Sequence, residues 1–322
     1  MSWLDKVTGI AQKTWNTVRA VGPFLLSQSD KASEAFKRHL GRVAEAEALK
    51  DLLKNEVKLR ASLRSKLFER YLGASPEERV RIEQDIEYVD GITRQLNIAA
   101  KSLSYGTEEA APPPNDEKPK AIQDHWLDHF NELARKRNEE WRNELLARAL
   151  ARETERPGTV SPRALWLIGN MEHSLFTALS DLLDLCIWTH PEGSPFLPNS
   201  RVQALERKSH GTEQAPPRAV GQLLFQLADI GVLADFLTAA RQIKVGQALI
   251  VKYEQNHHVI LAKQDFEIRG VIFTPLGESI ARFYEPRWNP TGNTILAEWI
   301  ASLTPDIATV QILKMERPKS GA

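Results

Sequence analysis

The sequence predicts a mainly α-helical protein with a small α+β module towards its C-terminus. Three observations lead to this prediction. Apolar residues recur every three or four positions over most of the chain up to residue 190, which is the period of a helix. Proline and glycine are concentrated in residues 104–120 and 191–217, so these stretches separate the helical segments. Only beyond Ala248 do short runs of Val, Ile and Leu follow one another, as in strands.

The first predicted unit, residues 1–103, is a long helical hairpin. Its second helix starts near Ser75, because Ser75 is an N-cap residue and Pro76 and Glu77 suit the first helical turn. One apolar stripe follows that helix: Ile82, Ile86, Val89, Ile92, Leu96, Ala99 and Leu103. The preceding helix is predicted from about Asp30 to Leu72. Its apolar positions drift in phase, which argues against a strict heptad coiled coil.

The hairpin is preceded by a predicted amphipathic helix. Its polar side carries Asp5, Lys6, Gln12, Lys13, Asn16 and Arg19. Two tryptophans on the opposite, apolar side suit a helix that lies in a membrane surface. The alternative is a helix that packs on the hairpin or on a second subunit. The candidate residues for contact with a membrane or a partner are Trp3, Leu4, Val7, Trp15, Val18, Lys6, Lys13 and Arg19.

A proline-rich linker, residues 104–120, leads to a predicted helical domain, residues 121–190. A first helix spans Asp124 to Glu155, where Pro157 and Gly158 end it. A second helix begins at Ser161 and Pro162 and ends near Gly169. A third helix, Glu172 to Trp188, is apolar around most of its circumference and is expected in the core.

A long loop, residues 191–217, precedes a winged-helix-like α+β module, residues 218–322. The predicted helices are Val220–Ile230, one from Thr274 and Pro275 to about Tyr284, and Ile295–Leu303. The predicted strands are a hairpin of Ala248–Tyr253 and His258–Ala262, the short Gly270–Phe273, and the edge strand Thr309–Lys314. A helix that follows a small antiparallel sheet is the feature that suggests the winged-helix comparison.

Composition excludes several classes of protein. The 42 Lys and Arg balance the 42 Asp and Glu, so no net charge draws the chain to nucleic acid or anionic lipid. A single cysteine, Cys186, excludes an intramolecular disulfide framework. Neither a membrane-spanning stretch nor a secretory signal is recognised. A cytoplasmic protein is therefore expected, with peripheral attachment at the inner membrane as the alternative.

Motifs that carry chemistry are almost absent. The sequence contains no phosphate-binding loop, nucleophile elbow, zinc-protease helix or dinucleotide fingerprint. His125 and His129 are spaced as two metal ligands on one helix face, but no third ligand is defined. A solvated helix face is therefore preferred to a metal site, and no cofactor is predicted. His257 and His258 are expected in a hairpin turn, and Cys186 is expected to be a buried structural residue.

The stretch from Trp141 to Gly158, WRNELLARALARETERPG, is followed by Ser161 and a short helical motif. Together with Leu227–Leu233 and Phe273–Glu278, it resembles a family of uncharacterised bacterial proteins grouped as a domain of unknown function. The resemblance covers roughly Ile122 to Tyr284. It implies a place in mobile and defence-associated gene neighbourhoods and implies no mechanism.

These observations favour a non-enzymatic protein of anti-phage or stress defence that acts by assembly, as a homo-oligomer or with a protein partner. Association with a membrane surface is a further option. One alternative is a DNA-associated regulator that uses the C-terminal module. Nucleic acid is disfavoured, however, because the candidate recognition helix sets Arg282 against Glu278. The other alternative is a metal-dependent enzyme that uses His125 and His129.

Overall fold

The computed structural model describes residues 16–17, 20, 45–105, 121–190, 193–198, 217–234 and 240–313. The chain forms two compact units, Met1–Asn170 and Met171–Ala322. The described residues of the first unit are helical, and those of the second combine helices with a sheet. The predicted mainly helical fold with strands in the C-terminal part is therefore confirmed, while the winged-helix-like form of that part stays a prediction.

Helices α1 (Glu45–Gly73) and α2 (Pro76–Ser102) form the predicted hairpin. Ser75 caps α2 through a reciprocal pair of hydrogen bonds: its hydroxyl accepts from the Glu78 amide, and the Glu78 carboxylate accepts from the Ser75 amide. These bonds satisfy amides that have no partner within the helix. The predicted apolar stripe of α2 is confirmed, since its members are buried or partly buried. The predicted start of the first helix near Asp30 lies outside the described residues.

Three further helices follow in the described part of the first unit: α3 (Asp124–Lys136), α4 (Glu140–Glu155) and α5 (Pro162–Asn170). The prediction of one continuous helix from Asp124 to Glu155 is wrong, because the backbone is extended at Arg137 and Glu139. The polar run around Asn138 offers no apolar side chain whose burial would favour continuation of the helix. Helix α2 packs against both α3 and α4, so the helices on the two sides of the predicted linker belong to one unit.

The second unit begins with α6 (His173–Leu183), β1 (Ile187–His190), β2 (Pro195–Pro198) and α7 (Pro217–Asp229). The predicted helix from Glu172 to Trp188 is wrong in its last turn, since Ile187 and Trp188 belong to β1. Residues 182–188 are all buried, and a short apolar run that is buried on all sides suits a helix and a strand equally. Strand β2 lies within the predicted loop.

Five more strands follow: β3 (Ala240–Ile243), β4 (Ala248–Tyr253), β5 (Asn256–Ala262), β6 (Phe266–Ile272) and β7 (Ala308–Leu313). The described strands form one antiparallel sheet in the order β3-β6-β2-β1-β4-β5-β7. The predicted β4–β5 hairpin is confirmed, and so is the edge position of the last strand. Strands β1, β2 and β3 were not predicted, so the sheet is larger than expected.

Helices α8 (Pro275–Ala281) and α9 (Pro290–Ser302) complete the described part of the second unit. Helix α8 ends before the predicted Tyr284, and α9 starts five residues before the predicted Ile295 because Asn289 caps it and Pro290 opens it. Helix α9 packs on β1 and β4. Gly292 permits this approach, because a Cβ atom there would lie 1.8 Å from the Tyr253 ring. No helix in the described ranges is long and apolar enough to cross a membrane.

Candidate functional site

The predicted N-terminal contact residues, from Trp3 to Arg19, lie outside the described residues. Three neighbours in the same segment are described, and Asn16, Thr17 and Ala20 are all fully buried. Asn16 Nδ2 donates to the Thr154 carbonyl at 2.9 Å, and Gln95 Nε2 donates to the Ala20 carbonyl at 3.5 Å. Asn16, from the predicted polar side of this helix, thus contacts the C-terminal end of α4.

The helix face that carries His125 and His129 belongs to α3. His125 is exposed, and Trp126, Leu127 and Phe130 on the opposite face are buried, as the preferred prediction states. Glu132, which neighbours His129, pairs with Lys136 at 2.7 Å, and the bond lowers the pKa of Glu132. Across the described residues, no group of three or more His, Cys, Asp or Glu is arranged to hold a metal ion.

The other sequence candidates are structural. His257 and His258 lie in strand β5, opposite Lys252 and Val251 of β4, so their predicted place in the turn is wrong. Burial lowers the pKa of His258, with His257 as a second cause. Cys186 is fully buried as predicted, and burial raises the pKa of its thiol. A thiol that stays protonated is not a nucleophile.

Exposed apolar side chains are concentrated on the α1–α2 hairpin. We call this set the hairpin surface, and its members with their exposed fractions are Leu59 (54%), Leu63 (37%), Phe68 (51%), Leu72 (65%), Val80 (55%) and Tyr88 (58%). On α1, Leu59 and Leu63 flank one side of the buried stripe through Leu67, and Phe68 and Leu72 flank the other. Exposed apolar side chains that are grouped on one part of a protein are typical of an interaction surface, and those of the hairpin surface are grouped on its two flanks.

The hairpin surface is bordered by charged residues of opposite sign on its two helices. Exposed basic residues dominate α1 between Lys58 and Leu72: Lys58, Arg64, Lys66 and Arg70 against the single acid Glu69. Exposed acids dominate the first half of α2: Glu77, Glu78, Glu83, Asp85 and Glu87 against Arg79 and Arg81. Two bonds tie the helices to each other, Arg64 Nε to Asp90 Oδ1 and Tyr71 Oη to Glu83 Oε1, both 2.8 Å.

A shallow groove of about 480 Å³ adjoins the hairpin surface between α2 and α3. Tyr88, Gly91 and Arg94 line it on the α2 side. Arg94 Nε donates to the Arg135 carbonyl at 2.9 Å, which places a cation at the C-terminal end of α3. Arg94 stabilises this helix end, and Lys136 pairs with Glu132. These three charged side chains of the groove are therefore bonded to other groups and do not form a catalytic cluster.

The motif from Trp141 to Gly158 has a structural explanation. Glu153 of α4 is buried, and its carboxylate accepts from the amides of Gly158 at 2.6 Å and Val160 at 2.9 Å. Trp126 Nε1 donates to the Val160 carbonyl at 3.0 Å. Burial raises the pKa of Glu153, while the backbone amides act in the opposite direction. Glu153 therefore anchors the turn between α4 and α5.

The two later motifs contact each other. Gly231 ends α7 with a φ of 80°, and the Val232 amide donates to the Leu227 carbonyl at 2.8 Å, which is a Schellman C-cap. The Val232 carbonyl accepts from the Thr274 amide at 3.1 Å. A Cβ atom on Gly277 would lie 1.9 Å from that carbonyl oxygen. These motifs therefore join the end of α7 to the start of α8.

A buried aspartate organises the segment between α8 and α9. Asp184 is 3% exposed, and its Oδ1 accepts from the Tyr284 hydroxyl and the Arg287 amide, both at 2.7 Å. Its backbone carbonyl accepts from the Tyr253 hydroxyl at 2.7 Å. Burial raises the pKa of Tyr253 and of Tyr284 to about 12, with the bond to Asp184 as a second cause for Tyr284. Both hydroxyls therefore remain donors at neutral pH, and the cluster holds the segment in place.

Sequence reasoning missed the hairpin surface and the Asp184 cluster. The phase drift of the apolar positions in α1 was the available signal for the first, because drift spreads apolar side chains beyond one buried stripe. The Asp184 cluster left no signal in the sequence, since Asp184, Tyr253 and Tyr284 are far apart in the chain and come together only in the folded unit.

Comparison with known proteins agrees with this picture. The family described as "Protein of unknown function (DUF2806)" matches residues 89–291. No curated protein and no solved structure matches the chain. Because the match covers more than half of the sequence and includes the motifs anchored by Glu153 and Gly277, the chain belongs to this family of unknown function.

Proposed function

We propose that this chain is a non-enzymatic assembly protein whose α1–α2 hairpin packs against the same hairpin of a second copy. The hairpin surface is the observation that carries the proposal, since it leaves six large apolar side chains exposed. Covering such side chains removes apolar area from water, and this is the main favourable term in protein association. The hairpin also ends in the short turn at Gly73–Ser75, so the connection between its two helices is not itself an obstacle to a neighbouring hairpin.

The charge distribution supports a second copy as the occupant. A two-fold axis that places α1 of one copy on α2 of the other brings the basic part of one helix against the acidic part of the other. The charges around Lys66 on one copy then meet those around Asp85 on its neighbour, and the reciprocal contact has the same sign pairing. Complementary charges favour the correct arrangement over others.

The described residues of the N-terminal segment contact protein. Asn16, Thr17 and Ala20 are covered by the first unit, and Asn16 belongs to the predicted polar side of the helix. For the opposite side, which carries Trp3 and Trp15, we propose packing within the chain or against a subunit, because an amphipathic helix packs on protein more often than on lipid.

The test is the solution mass of the full chain, measured by light scattering over a concentration series. The wild type is expected to exceed its monomer mass of 36.3 kDa, and the Leu59→Glu, Leu63→Glu variant is expected to lose mass by losing the hairpin contact. The control is Ser62→Glu, which places one such charge on an exposed polar position of the same helix. A wild-type monomer, or equal masses for the two variants, overturns the proposal.

The role of this assembly in anti-phage or stress defence is the second part of the proposal, and it rests on the family resemblance alone. Cells that carry the gene are expected to show fewer plaques than cells without it. The Leu59→Glu, Leu63→Glu variant is expected to lose that protection while the Ser62→Glu variant keeps it. Equal plaque counts across a broad phage panel would remove the defence role and leave the assembly proposal standing.

A further inference from the structure

Strand β7 forms one edge of the sheet. Among the described residues it pairs only with β5, in a register that sets Ala308 opposite Ala262 and Ile312 opposite His258. Ile312 is 71% exposed. Leu261 of β5, which lies opposite Thr309, is also exposed, at 46%. Because side chains alternate along a strand, one exposed apolar side chain lies on each face of the sheet beside this edge.

The direction of the backbone groups follows from one hydrogen bond. The Lys263 amide donates to the Ile307 carbonyl at 2.8 Å, so the backbone groups of Ile307 point towards β5. Directions alternate along an antiparallel strand, and those of Thr309 and Gln311 therefore also point towards β5. The amides and carbonyls of Val310 and Ile312 point outward, away from the sheet.

This edge carries none of the features that prevent strands from pairing between molecules. Ala308–Leu313 contains no charged residue and no proline, and its register with β5 runs without a bulge. The opposite edge differs, because β3 has only four residues and includes Arg241. Short strands and charges on an edge oppose intermolecular pairing. In the part of the chain that the structure describes, the two edges are therefore not equivalent, and β7 is the longer, uncharged one.

We infer that β7 pairs antiparallel with β7 of a second copy, with Gln311 on the two-fold axis. In this register Val310 of each copy is opposite Ile312 of the other, and the four outward amides and four outward carbonyl groups of these residues form four hydrogen bonds. Two β-branched side chains then face each other on the sheet, a favourable cross-strand pair. No like charges meet within the strand, which is why a second copy suits this edge.

This contact is separate from the one proposed for the hairpin. It lies in the second unit, uses backbone groups in place of helix side chains, and stands if the hairpin proposal fails. With both contacts, each chain touches two neighbours, and the assembly extends beyond a dimer. Either contact alone gives a dimer.

A cysteine at the two-fold axis tests the register directly. Residues in a non-hydrogen-bonded antiparallel pair have Cα atoms about 4.5 Å apart, which lies within the range of about 4.4–6.8 Å that a disulfide spans. In the full chain, the Gln311→Cys variant is expected to form a disulfide-linked dimer with copper phenanthroline as oxidant. The native Cys186 is fully buried and gives no background. The matched control is Gln242→Cys, an exposed position on the other edge.

A proline tests the hydrogen bonds. Ile312→Pro removes an outward amide without breaking a bond to β5, and the side chain it replaces is exposed. Its circular dichroism and melting temperature are expected to match the wild type. When Ile312→Pro is combined with Gln311→Cys, it is expected to abolish the crosslink. When it is combined with Leu59→Glu and Leu63→Glu, it is expected to convert a dimer to the 36.3 kDa monomer. Equal crosslinking at positions 311 and 242, no crosslinking at 311, or crosslinking that survives Ile312→Pro overturns the inference.

Discussion

Replacement of Asp184 is expected to destabilise the second unit at one defined place. Asp184 Oδ1 accepts two hydrogen bonds of 2.7 Å, from the Tyr284 hydroxyl and from the Arg287 amide. Asp184→Ala removes this acceptor and leaves both donors without their partner. Asp184→Asn is the matched control, because its side-chain oxygen still accepts both bonds while the negative charge is lost.

The magnitude follows from the two bonds. A hydrogen bond to a charged group contributes about 1.5–3 kcal/mol, and a neutral one about 0.5–1.5 kcal/mol. Because Tyr284 is half-buried and the Arg287 side chain is exposed, water replaces part of what is lost. We expect Asp184→Ala to lower the free energy of unfolding by about 2–4 kcal/mol, and Asp184→Asn by about 1 kcal/mol.

Urea unfolding of the full chain measures the loss in the free energy of unfolding. Hydrogen exchange identifies the amides at which that loss occurs. The amides of Arg287 and Asn289 are expected to exchange faster in Asp184→Ala, because the first donates to Asp184 and the second donates to Tyr253, which bonds the Asp184 carbonyl. Exchange in the α1–α2 hairpin is expected to remain as in the wild type. A loss below about 0.5 kcal/mol, the range of ordinary surface substitutions, refutes this account of the cluster.

Three other predictions concern Gly277, His258 and the N-terminal segment. Gly277→Ala places a Cβ atom 1.9 Å from the Val232 oxygen, so thermal unfolding is expected to show a loss of about 1–3 kcal/mol or more. Burial lowers the pKa of His258 from 6.5, so the unfolded chain binds a proton first and stability is expected to fall as the pH drops below 6.5. The wild-type chain is expected to remain in the supernatant with anionic liposomes, because we propose that the tryptophan side of the first helix packs on protein.

Each of these three predictions has a contradicting outcome. An unchanged melting temperature in Gly277→Ala shows that the junction between α7 and α8 can shift to accommodate the added Cβ atom. If the urea midpoint of His258→Leu changes with pH as it does in the wild type, another group controls stability below pH 6.5. Co-sedimentation that is lost in the Trp3→Glu, Trp15→Glu variant assigns the first helix to the membrane.

The helical hairpin could be predicted from sequence because its determinants are local. The N-cap at Ser75 and the stripe through Ile82 and Leu96 act within a few turns of one helix, and each is confirmed. The break after Lys136 was missed because helix-forming residues continue through it, and Arg142 of the new helix bonds a distant partner, the Ile168 carbonyl, at 3.0 Å.

Features that depend on distant parts of the chain could not be predicted. Ile187 and Trp188 continue an apolar run that a helix would also accept, and their place in β1 depends on pairing with β2 and β4. Asn16 lies on the predicted polar side of its helix, and it is buried where its side chain donates to the Thr154 carbonyl. In both cases the partner, and not the residue, decides the outcome.

The matched family region and the two proposed contact surfaces occupy different parts of the chain. Residues 89–291 contain three residues that hold turns and junctions in place. Glu153 bonds the turn after α4, Gly277 lies against the Val232 carbonyl, and Asp184 bonds the segment between α8 and α9. All six residues of the hairpin surface precede residue 89, and strand β7 follows residue 291. The motifs that carry the family resemblance thus stabilise the fold. The association that we propose uses elements on both sides of the matched region, so the substitutions at Leu59, Leu63 and Ile312 are expected to change the assembly while the turns anchored by Glu153, Gly277 and Asp184 keep their stability.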